Sequence, residues 1–130
     1  MAEHPIKMWH DYMERHDGSG LDAMLADDAV FESPVVFTPQ RGKPIVMAYL
    51  SAAANVLGDQ NFRYTGEWLG DNSAILEFEN EIDGISINGI DMIWWNDAGK
   101  ISRFKVMVRP LQAVNMLHKK MGEMLAAMKG

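Results

Sequence analysis

Hydrophobic and polar positions follow two different periods along the chain. Up to about residue 57, apolar residues recur every three or four positions, which predicts helices over Pro5 to His16, about Leu21 to Ala26 and roughly Pro44 to Leu57. Between the last two helices, a short strand over about Ala29 to Ser33 is predicted to end at Pro34, and a loop follows it. The first half of the chain is therefore predicted to be mainly helical.

After Gly58 the apolar residues alternate with polar ones, which is typical of half-buried strands. Four such segments are separated by the turn signals "GDN", "DG" and "NDAG"; they read QNFRYTGEWL, SAILEFENEI, ISINGIDMIWW and KISRFKVMVR. Helical spacing returns after Pro110. The pattern predicts one α+β domain over residues 1–130, with helices packed on one face of a curved antiparallel sheet.

One charged residue, Asp91, lies inside an otherwise apolar strand. Counting outward from the two-residue turn "DG" places Leu76 opposite Asp91, and residues that pair in this way share a face of the sheet. Counting from "NDAG" as a four-residue turn places Phe104 opposite Asp91. Both turns predict that Asp91 points to the concave, helix-covered face, beside Phe78 and Ile93.

A carboxyl group in such surroundings is expected to have unusual chemistry. An ionised carboxylate among apolar side chains must find a hydrogen-bond partner or become protonated. A carboxyl with a raised pKa is useful as an acid or base near neutral pH. The pattern leaves two interpretations of Asp91 open: a catalytic acid/base, or a structural residue bonded to a backbone amide or a helix hydroxyl.

Composition excludes several classes of function. The chain has no cysteine, so disulfides, thiolate zinc sites and a cysteine nucleophile are ruled out. Its net charge of −6, without a dense Lys/Arg block, argues against nucleic acid and anionic membranes as partners. The four histidines form no metal motif and no phosphate-binding loop is present, so neither metal nor cofactor is expected. Without a long apolar run or a leader-like start, a soluble cytoplasmic protein is expected.

At this level of detail the sequence resembles the nuclear transport factor 2-like superfamily, in its SnoaL-like and ketosteroid isomerase-like branches. The resemblance is carried by "LADDAVFESPVVFTPQRGKP", "NGIDMIWWNDAGKI" and "VMVRPLQAV" and spans almost the whole chain. It implies a cystatin-like cone, in which a strongly curved antiparallel sheet wraps around the N-terminal helices and encloses an apolar pocket. It also implies a homodimer formed through the sheet.

The isomerase pattern can be followed position by position. Its catalytic aspartate base falls on Ser33, which cannot act as a carboxylate, and its helical tyrosine falls on Trp9, whose indole N–H can still donate. Its second donor, an aspartic acid that apolar surroundings keep protonated, falls on Asp91. Because only that role is retained, the resemblance argues against steroid isomerisation of the ordinary kind.

Two other branches of the superfamily match the chain to different extents. The SnoaL-like polyketide cyclases employ an acid/base aspartate on this part of the sheet, and Asp91 matches it, although no second cyclase residue does. The epoxide hydrolases need an Asp-Arg-Asp arrangement, which the predicted concave face lacks, since Arg103 and Arg109 are predicted to point outward.

Further residues are predicted to bind a hydrophobic small molecule around Asp91. The substrate-binding set consists of Trp9, Ser33, Tyr49, Phe78, Asn80, Trp95 and Phe104, with Phe31 and Phe37 as further candidate lining residues. The alternative for each aromatic residue is ordinary core packing. Asn80, near the hairpin end, would alternatively be solvated.

The outward face of the sheet is predicted to carry an apolar ridge of Ile90, Met92 and Trp94, edged by opposite charges on the two neighbouring strands. Such a ridge suits a two-fold homodimer interface. The alternative is that the C-terminal helix covers it.

Two functions are consistent with these observations. The first is a cofactor-free isomerase, cyclase or lyase that acts on a hydrophobic small molecule, with Asp91 as acid/base and Trp9 or Tyr49 positioning the substrate. The second is a non-catalytic ligand-binding or dimerisation module on the same fold, which the serine at position 33 favours.

Overall fold

A computed structural model of the protein describes residues 4–15, 20–58 and 61–129. In chain order the elements are α1 Pro5–Arg15, α2 Leu21–Met24, β1 Leu25–Glu32, β2 Gln40–Arg41, α3 Lys43–Leu57, β3 Arg63–Leu69, β4 Ser73–Ile82, β5 Ile85–Trp95, β6 Ile101–Arg109 and α4 Leu111–Lys129. Two predicted end residues, His16 and Gln60, lie outside the described residues.

The six strands form one sheet in the order β2-β1-β6-β5-β4-β3. Neighbouring strands are antiparallel except β1 and β6, which run parallel. The pairings β1–β6, β3–β4 and β5–β6 each contain a register shift, and such bulges bend a sheet. The predicted α+β class, with helices on one face of a curved sheet, is confirmed.

The predicted elements are found, with differences in the first strand and the following loop. Strand β1 begins at Leu25 rather than Ala29, because α2 ends after a single turn at Met24. The predicted loop contains β2, whose Gln40 pairs with Phe31 of β1. A two-residue strand is too short for alternation to reveal it.

The register predicted for the β4–β5 hairpin is confirmed. Asp91 lies opposite Leu76, and Gly89 lies opposite Phe78. Asp83 at the tip adopts a positive φ of 54°, as does Gly84 with 78°. Positive φ at both central positions is the conformation that an Asp-Gly hairpin turn favours, which is why this turn sets the register reliably.

The register predicted for β5 and β6 is wrong by two residues. Asp91 lies opposite Val106 rather than Phe104, and Phe104 lies opposite Ile93. The connection is longer than four residues, because Trp95 pairs with Ile101 and a register shift follows immediately. Since side chains alternate with a period of two, a slip of two leaves Asp91 on the predicted face.

The core lies between the concave face of the sheet and the helices α1, α3 and α4. Its largest fully buried side chains are Phe31, Phe78, Phe104, Leu25, Leu50, Leu76, Ile87, Ile93, Ile101 and Val46. Ala113 and Leu117 of α4 are buried in the same cluster. Helix α4 therefore packs on the concave side against α3, and not over the outward ridge as the alternative interpretation proposed.

Gly89 allows β5 to lie close to both neighbouring strands. A Cβ atom at this position would lie 2.6 Å from the backbone oxygen of Met107 and 2.6 Å from the Phe78 ring. We expect Gly89→Ala to lower the free energy of unfolding by about 1–3 kcal/mol, because the backbone contact cannot yield without moving a strand.

The matched control is Gly122→Ala in α4, where an added Cβ meets nothing within 4 Å. This change is expected to raise the free energy of unfolding by about 0.5–1 kcal/mol through helix propensity. Urea unfolding of both variants measures the difference, and equal effects of the same sign would contradict the close approach at Gly89.

Candidate functional site

Asp91 lies at the centre of the concave face, in the middle of β5. Its side chain is 6% exposed, and Asn80 is the other buried polar residue of the described chain. The residues opposite it, Leu76 and Val106, are apolar. No ion pair to Asp91 forms among the residues that the structure describes. Its burial in apolar surroundings is therefore compensated by hydrogen bonding and by proton uptake, and not by a paired cation.

A chain of two hydrogen bonds supports the carboxyl group from behind. The Tyr64 hydroxyl donates to Oδ2 of Asp91 at 2.6 Å, and the Trp9 Nε1–H donates to the Tyr64 oxygen at 2.8 Å. An indole nitrogen can only donate, which fixes the direction of both bonds. The chain links α1, β3 and β5, so the position of Asp91 depends on how α1 packs against the sheet.

The other carboxyl oxygen of Asp91, Oδ1, has no hydrogen-bond partner among the described residues. In the same part of the chain, no fully enclosed side-chain nitrogen or oxygen lacks a partner. Oδ1 therefore keeps some accessible surface, and Asp91 lines a cavity that Tyr64 does not line. The carboxyl is held through one oxygen, and the other is left without a hydrogen-bond partner among the described residues.

The cavity beside Asp91 has a volume of about 50 Å³. Its walls come from both the helices and the sheet; they are Trp9, Met13, Phe31, Ser33, Pro34, Val35, Leu50, Ala53, Ala54, Leu57, Phe62, Phe78, Asp91, Phe104, Val106, Leu117 and Met121. Polar side-chain groups in this set are limited to the Asp91 carboxyl, the Ser33 hydroxyl and the Trp9 indole. Asp91 is thus the one ionisable group among these lining residues.

Burial raises the pKa of Asp91 from 3.8 to about 7, and the hydrogen bond from Tyr64 opposes this rise. Burial, followed by the neighbouring Asp91 carboxylate, raises the pKa of Tyr64 well above 10. Asp91 is therefore divided between its protonated and ionised forms near neutral pH, while Tyr64 remains a phenol. This protonation pattern suits a group that both accepts and returns a proton.

We expect Tyr64→Phe to raise the pKa of Asp91 above its wild-type value, because the lost hydrogen bond stabilises the ionised carboxylate. Titration of the Asp91 carboxyl ¹³C resonance measures this change. Tyr49→Phe is the matched control, since Tyr49 packs on Phe31 and is not part of the hydrogen-bond chain. A lower or unchanged pKa in Tyr64→Phe would contradict the role of Tyr64.

Several of the predicted site residues meet at the cavity. Trp9, Ser33, Phe78 and Phe104 line it together with Asp91, and Phe31 is also in the wall. Ser33 accepts a hydrogen bond from the backbone N–H of Val35 at 3.1 Å, which leaves its hydroxyl proton for another acceptor.

Other predicted residues lie elsewhere. The Asn80 amide donates to the backbone oxygen of Leu57 at 2.8 Å, and Asn80 borders a separate polar depression. Trp95 packs against the His4 ring, with centroids 5.1 Å apart. Tyr49 lies behind Phe31, with ring centroids 5.6 Å apart, and Phe37 is fully exposed. None of these four side chains is part of the cavity wall.

Tyr64 was not predicted as a site residue. The pairs from Leu69–Ala74 to Gly66–Glu77 follow one register, which without interruption would place Tyr64 opposite Glu79 on the outer face. A bulge shifts the register, so that Tyr64 lies opposite Phe78 and points inward. Nothing in the sequence of β3 indicates the bulge, so the inward orientation of Tyr64 could not be predicted from alternation.

Two absences are established for the described part of the chain. No group of three or more His, Asp or Glu side chains within residues 4–15, 20–58 and 61–129 is arranged to hold a metal ion. Among the same residues, no helix is long and apolar enough to cross a bilayer.

Comparison with known proteins places the chain in a family. The sequence model of the SnoaL-like domain matches residues 6–104, and the protein therefore belongs to the SnoaL-like domain family. No protein with a curated description matches the sequence.

Solved structures share the fold closely. A steroid delta-isomerase from Pseudomonas aeruginosa is 36% identical, with a TM-score of 0.90 over 95% of this chain and 90% of that one. An uncharacterised protein with a cystatin-like fold from Silicibacter pomeroyi is 28% identical, with a TM-score of 0.84 over 92% and 83% of the two chains. An NTF2-like protein of unknown function from Mesorhizobium loti is 20% identical, with a TM-score of 0.71 over 82% and 88%. The predicted resemblance to the nuclear transport factor 2-like superfamily is confirmed.

Proposed function

We propose that this protein is a cofactor-free enzyme that moves a proton within a small apolar molecule bearing a carbonyl group, with Asp91 as the acid/base. The observation that carries the proposal is the Asp91 carboxyl group itself. It is buried, held through Oδ2 by Tyr64, and open through Oδ1 to an apolar cavity. Its pKa of about 7 allows it to take up and release a proton near neutral pH.

The proposed reaction uses a single carboxyl group for both proton transfers. Ionised Asp91 removes a proton from the carbon beside the carbonyl, and the resulting carboxylic acid returns it to another carbon or to the oxygen. The Ser33 hydroxyl, at the cavity wall, supplies a donor for the carbonyl oxygen. Because no other ionisable group lines the cavity in the described chain, a reaction without net proton change is favoured, such as isomerisation or aldol ring closure.

The relative from Pseudomonas aeruginosa supports isomerisation, since it is described as a steroid delta-isomerase and is 36% identical. Two differences separate the present chain from the ketosteroid isomerase pattern, namely Ser33 at the position of the base and Trp9 at the position of the helical tyrosine. In the proposal Asp91 takes over the base role, and Trp9, engaged with Tyr64, orients the carboxyl instead of binding the substrate oxygen. Trp9 is a positioning residue in this proposal.

The test is exchange of carbon-bound hydrogen with solvent. The protein is incubated in D₂O with a panel of apolar cyclic ketones, and deuterium uptake beside the carbonyl is followed by mass spectrometry. The proposal predicts uptake above the rate in buffer alone for ketones that bind. Ketones that bind without any enzyme-dependent uptake would instead favour the second function, a non-catalytic ligand-binding protein.

We also propose that the outer sheet face forms a homodimer interface. Trp68, Ile75 and Met92 are aligned across three strands of this face, and Trp68 is 57% exposed. Beside them Trp94 lies under the Arg103 guanidinium, 4.4 Å from its ring centroid. The described part of α4 packs on the opposite side of the sheet. The ridge of Ile90, Met92 and Trp94, together with Trp68 and Ile75 beside it, is therefore available to a second copy.

Light scattering of Met92→Glu tests the dimer. The variant is expected to be monomeric, because a carboxylate at the centre of the ridge would be buried without a partner in each subunit. Gln112→Glu on α4 is a control that changes the same charge away from the ridge. A concentration-independent monomer for the wild type would contradict the proposed interface.

A further inference from the structure

The cavity combines one free carboxyl oxygen with aromatic walls. Oδ1 of Asp91 opens into it without a hydrogen-bond partner among the described residues, although the residue is only 6% exposed. Five aromatic side chains surround the cavity; they are Trp9, Phe31, Phe62, Phe78 and Phe104. The ring centroids of Trp9 and Phe104 lie 4.8 Å apart, and those of Phe62 and Phe78 lie 5.3 Å apart.

A carboxylate beside aromatic rings is the combination that recognises organic cations. The faces of aromatic rings attract a cation electrostatically, by about 0.5–2 kcal/mol according to how far it is desolvated. An ionised carboxylate adds a charge-assisted hydrogen bond. We propose that this cavity binds a lipophilic tertiary ammonium ion, whose N–H donates to Oδ1 of Asp91 and whose alkyl groups pack on the rings.

The number of hydrogen-bond acceptors determines the class of amine. Oδ2 already accepts from Tyr64, so the carboxyl group has one oxygen to offer. A tertiary ammonium ion carries one N–H and can satisfy it there. A primary ammonium ion carries three, and the two left over would be buried among apolar side chains at a cost of about 1–3 kcal/mol each.

The surroundings of Asp91 offer no competing cation. The lining residues from α1, α3, α4, β4 and β6 carry no lysine, arginine or histidine within the described chain. Behind Asp91 stands Tyr64 from β3. His10 of α1 packs edge-on against the Tyr64 ring and places its Nε2 2.8 Å from Oε1 of Glu67, outside the cavity. An anionic ligand would therefore meet no opposite charge. Among these lining residues, the charge of the cavity wall changes with pH only through the ionisation of Asp91.

This inference rests on the same cavity as the proposed function but uses the ionised form of Asp91, without any chemical step. A ligand that pairs with the carboxylate should bind more weakly as Asp91 becomes protonated. Below the pKa of Asp91 the affinity should fall about tenfold for each pH unit. A neutral ketone requires no such charge, so the two ligand classes are distinguishable by their pH dependence.

Four naphthalene probes of similar size test the inference by calorimetry. They are N,N-dimethyl-1-naphthylmethylamine, 1-naphthylmethylamine, the uncharged 1-isobutylnaphthalene and 1-naphthylacetate. Above the pKa of Asp91, about 7, we expect the tertiary amine to bind about tenfold tighter than the primary amine and the hydrocarbon. The naphthylacetate anion should bind most weakly.

Asp91→Asn should remove the preference for the tertiary amine and its pH dependence, while Asp97→Asn, an exposed turn substitution, should change neither. A tertiary amine that binds no tighter than the hydrocarbon, or equally well in Asp91→Asn, would overturn the inference. The same holds if none of the probes binds. Ketone exchange with no amine preference would overturn this inference alone and leave the proposed function standing.

Discussion

Asp91→Asn is expected to reduce enzyme-dependent deuterium uptake by ketones about 10²- to 10⁴-fold, the usual contribution of a positioned acid/base. The substitution preserves the shape of the side chain, and the asparagine oxygen can still accept from Tyr64. The amide cannot accept the proton of a carbon acid, so the variant should bind ketones and fail to exchange their hydrogens.

Two variants control this result. Asp97→Asn removes an exposed carboxylate from the β5–β6 connection and should leave uptake unchanged. Tyr64→Phe keeps the carboxyl but raises its pKa, so the rising limb of its pH–rate profile should move to higher pH. Undiminished uptake in Asp91→Asn would remove Asp91 from the mechanism.

The same substitution is expected to stabilise the protein above neutral pH. The pKa of Asp91 is about 7 in the folded state, whereas the ordinary value of 3.8 applies when the protein is unfolded. Between these values the folded state holds more protons than the unfolded state, so the Asp91 contribution to stability falls as pH rises. About three pKa units correspond to about 4 kcal/mol. Asparagine does not ionise. Above pH 7 the free energy of unfolding of Asp91→Asn should therefore exceed that of the wild type by about this amount more than it does at low pH.

Urea unfolding of wild type and variant across the pH range measures this effect. The difference in free energy of unfolding should grow with pH by about 1.4 kcal/mol per unit until Asp91 is ionised in the folded state, and it should then level off. Asp97→Asn should show no comparable trend, since Asp97 is exposed. A pH-independent difference, or a variant less stable than wild type at alkaline pH, would contradict the burial cost.

These two results together describe an exchange of stability for function. A buried carboxyl without a cationic partner destabilises the folded state, and an apolar residue would pack among Leu76, Val106 and Phe104 at lower cost. Natural proteins retain such groups where they are used. The hydrogen bonds from Tyr64, and from Trp9 to Tyr64, reduce the cost while keeping one carboxyl oxygen open.

Most of the fold could be predicted from the sequence because its signals are local and consistent. Alternation marked four of the six strands, and the Asp83-Gly84 turn determined the register that places Leu76 opposite Asp91. The orientation of Asp91 follows from that register. The first three helices and α4 are likewise marked by periodicity, since each contributes buried residues to the core.

The errors arise where a bulge interrupts the alternation. A connection one residue longer than predicted and the shift between Trp94 and Trp95 each displaced the predicted β5–β6 register by one residue, and the total of two preserved the face. The shift between Tyr64 and Gly66 places Tyr64 on the concave face, where alternation from the rest of β3 would not put it. Bulges depend on how neighbouring strands twist and bend in three dimensions, and no turn residue in the sequence indicates the bulges in β3 and β5.

The cavity wall was predicted in part, from strand register for Phe78 and Phe104 and from the family resemblance for Trp9 and Ser33. Phe78 and Phe104 follow from the sheet, whereas Leu117 and Met121 enter through the packing of α4 on the concave side. The path of a helix across a sheet is set by tertiary packing, which periodicity does not report. Tyr49 was selected for its aromatic character, and in the structure it lies behind Phe31 instead of in the wall.

The role proposed for Asp91 requires a buried carboxyl group whose pKa lies near neutral pH, and one measurement tests this requirement most directly. The pKa of Asp91 is obtained by titrating its carboxyl ¹³C resonance in the wild-type protein, with Asp91→Asn identifying the signal. A pKa of about 7 is predicted. A pKa near the ordinary value of about 4 would show that the carboxyl group is well solvated or paired, and would contradict both its burial and its proposed role as acid/base.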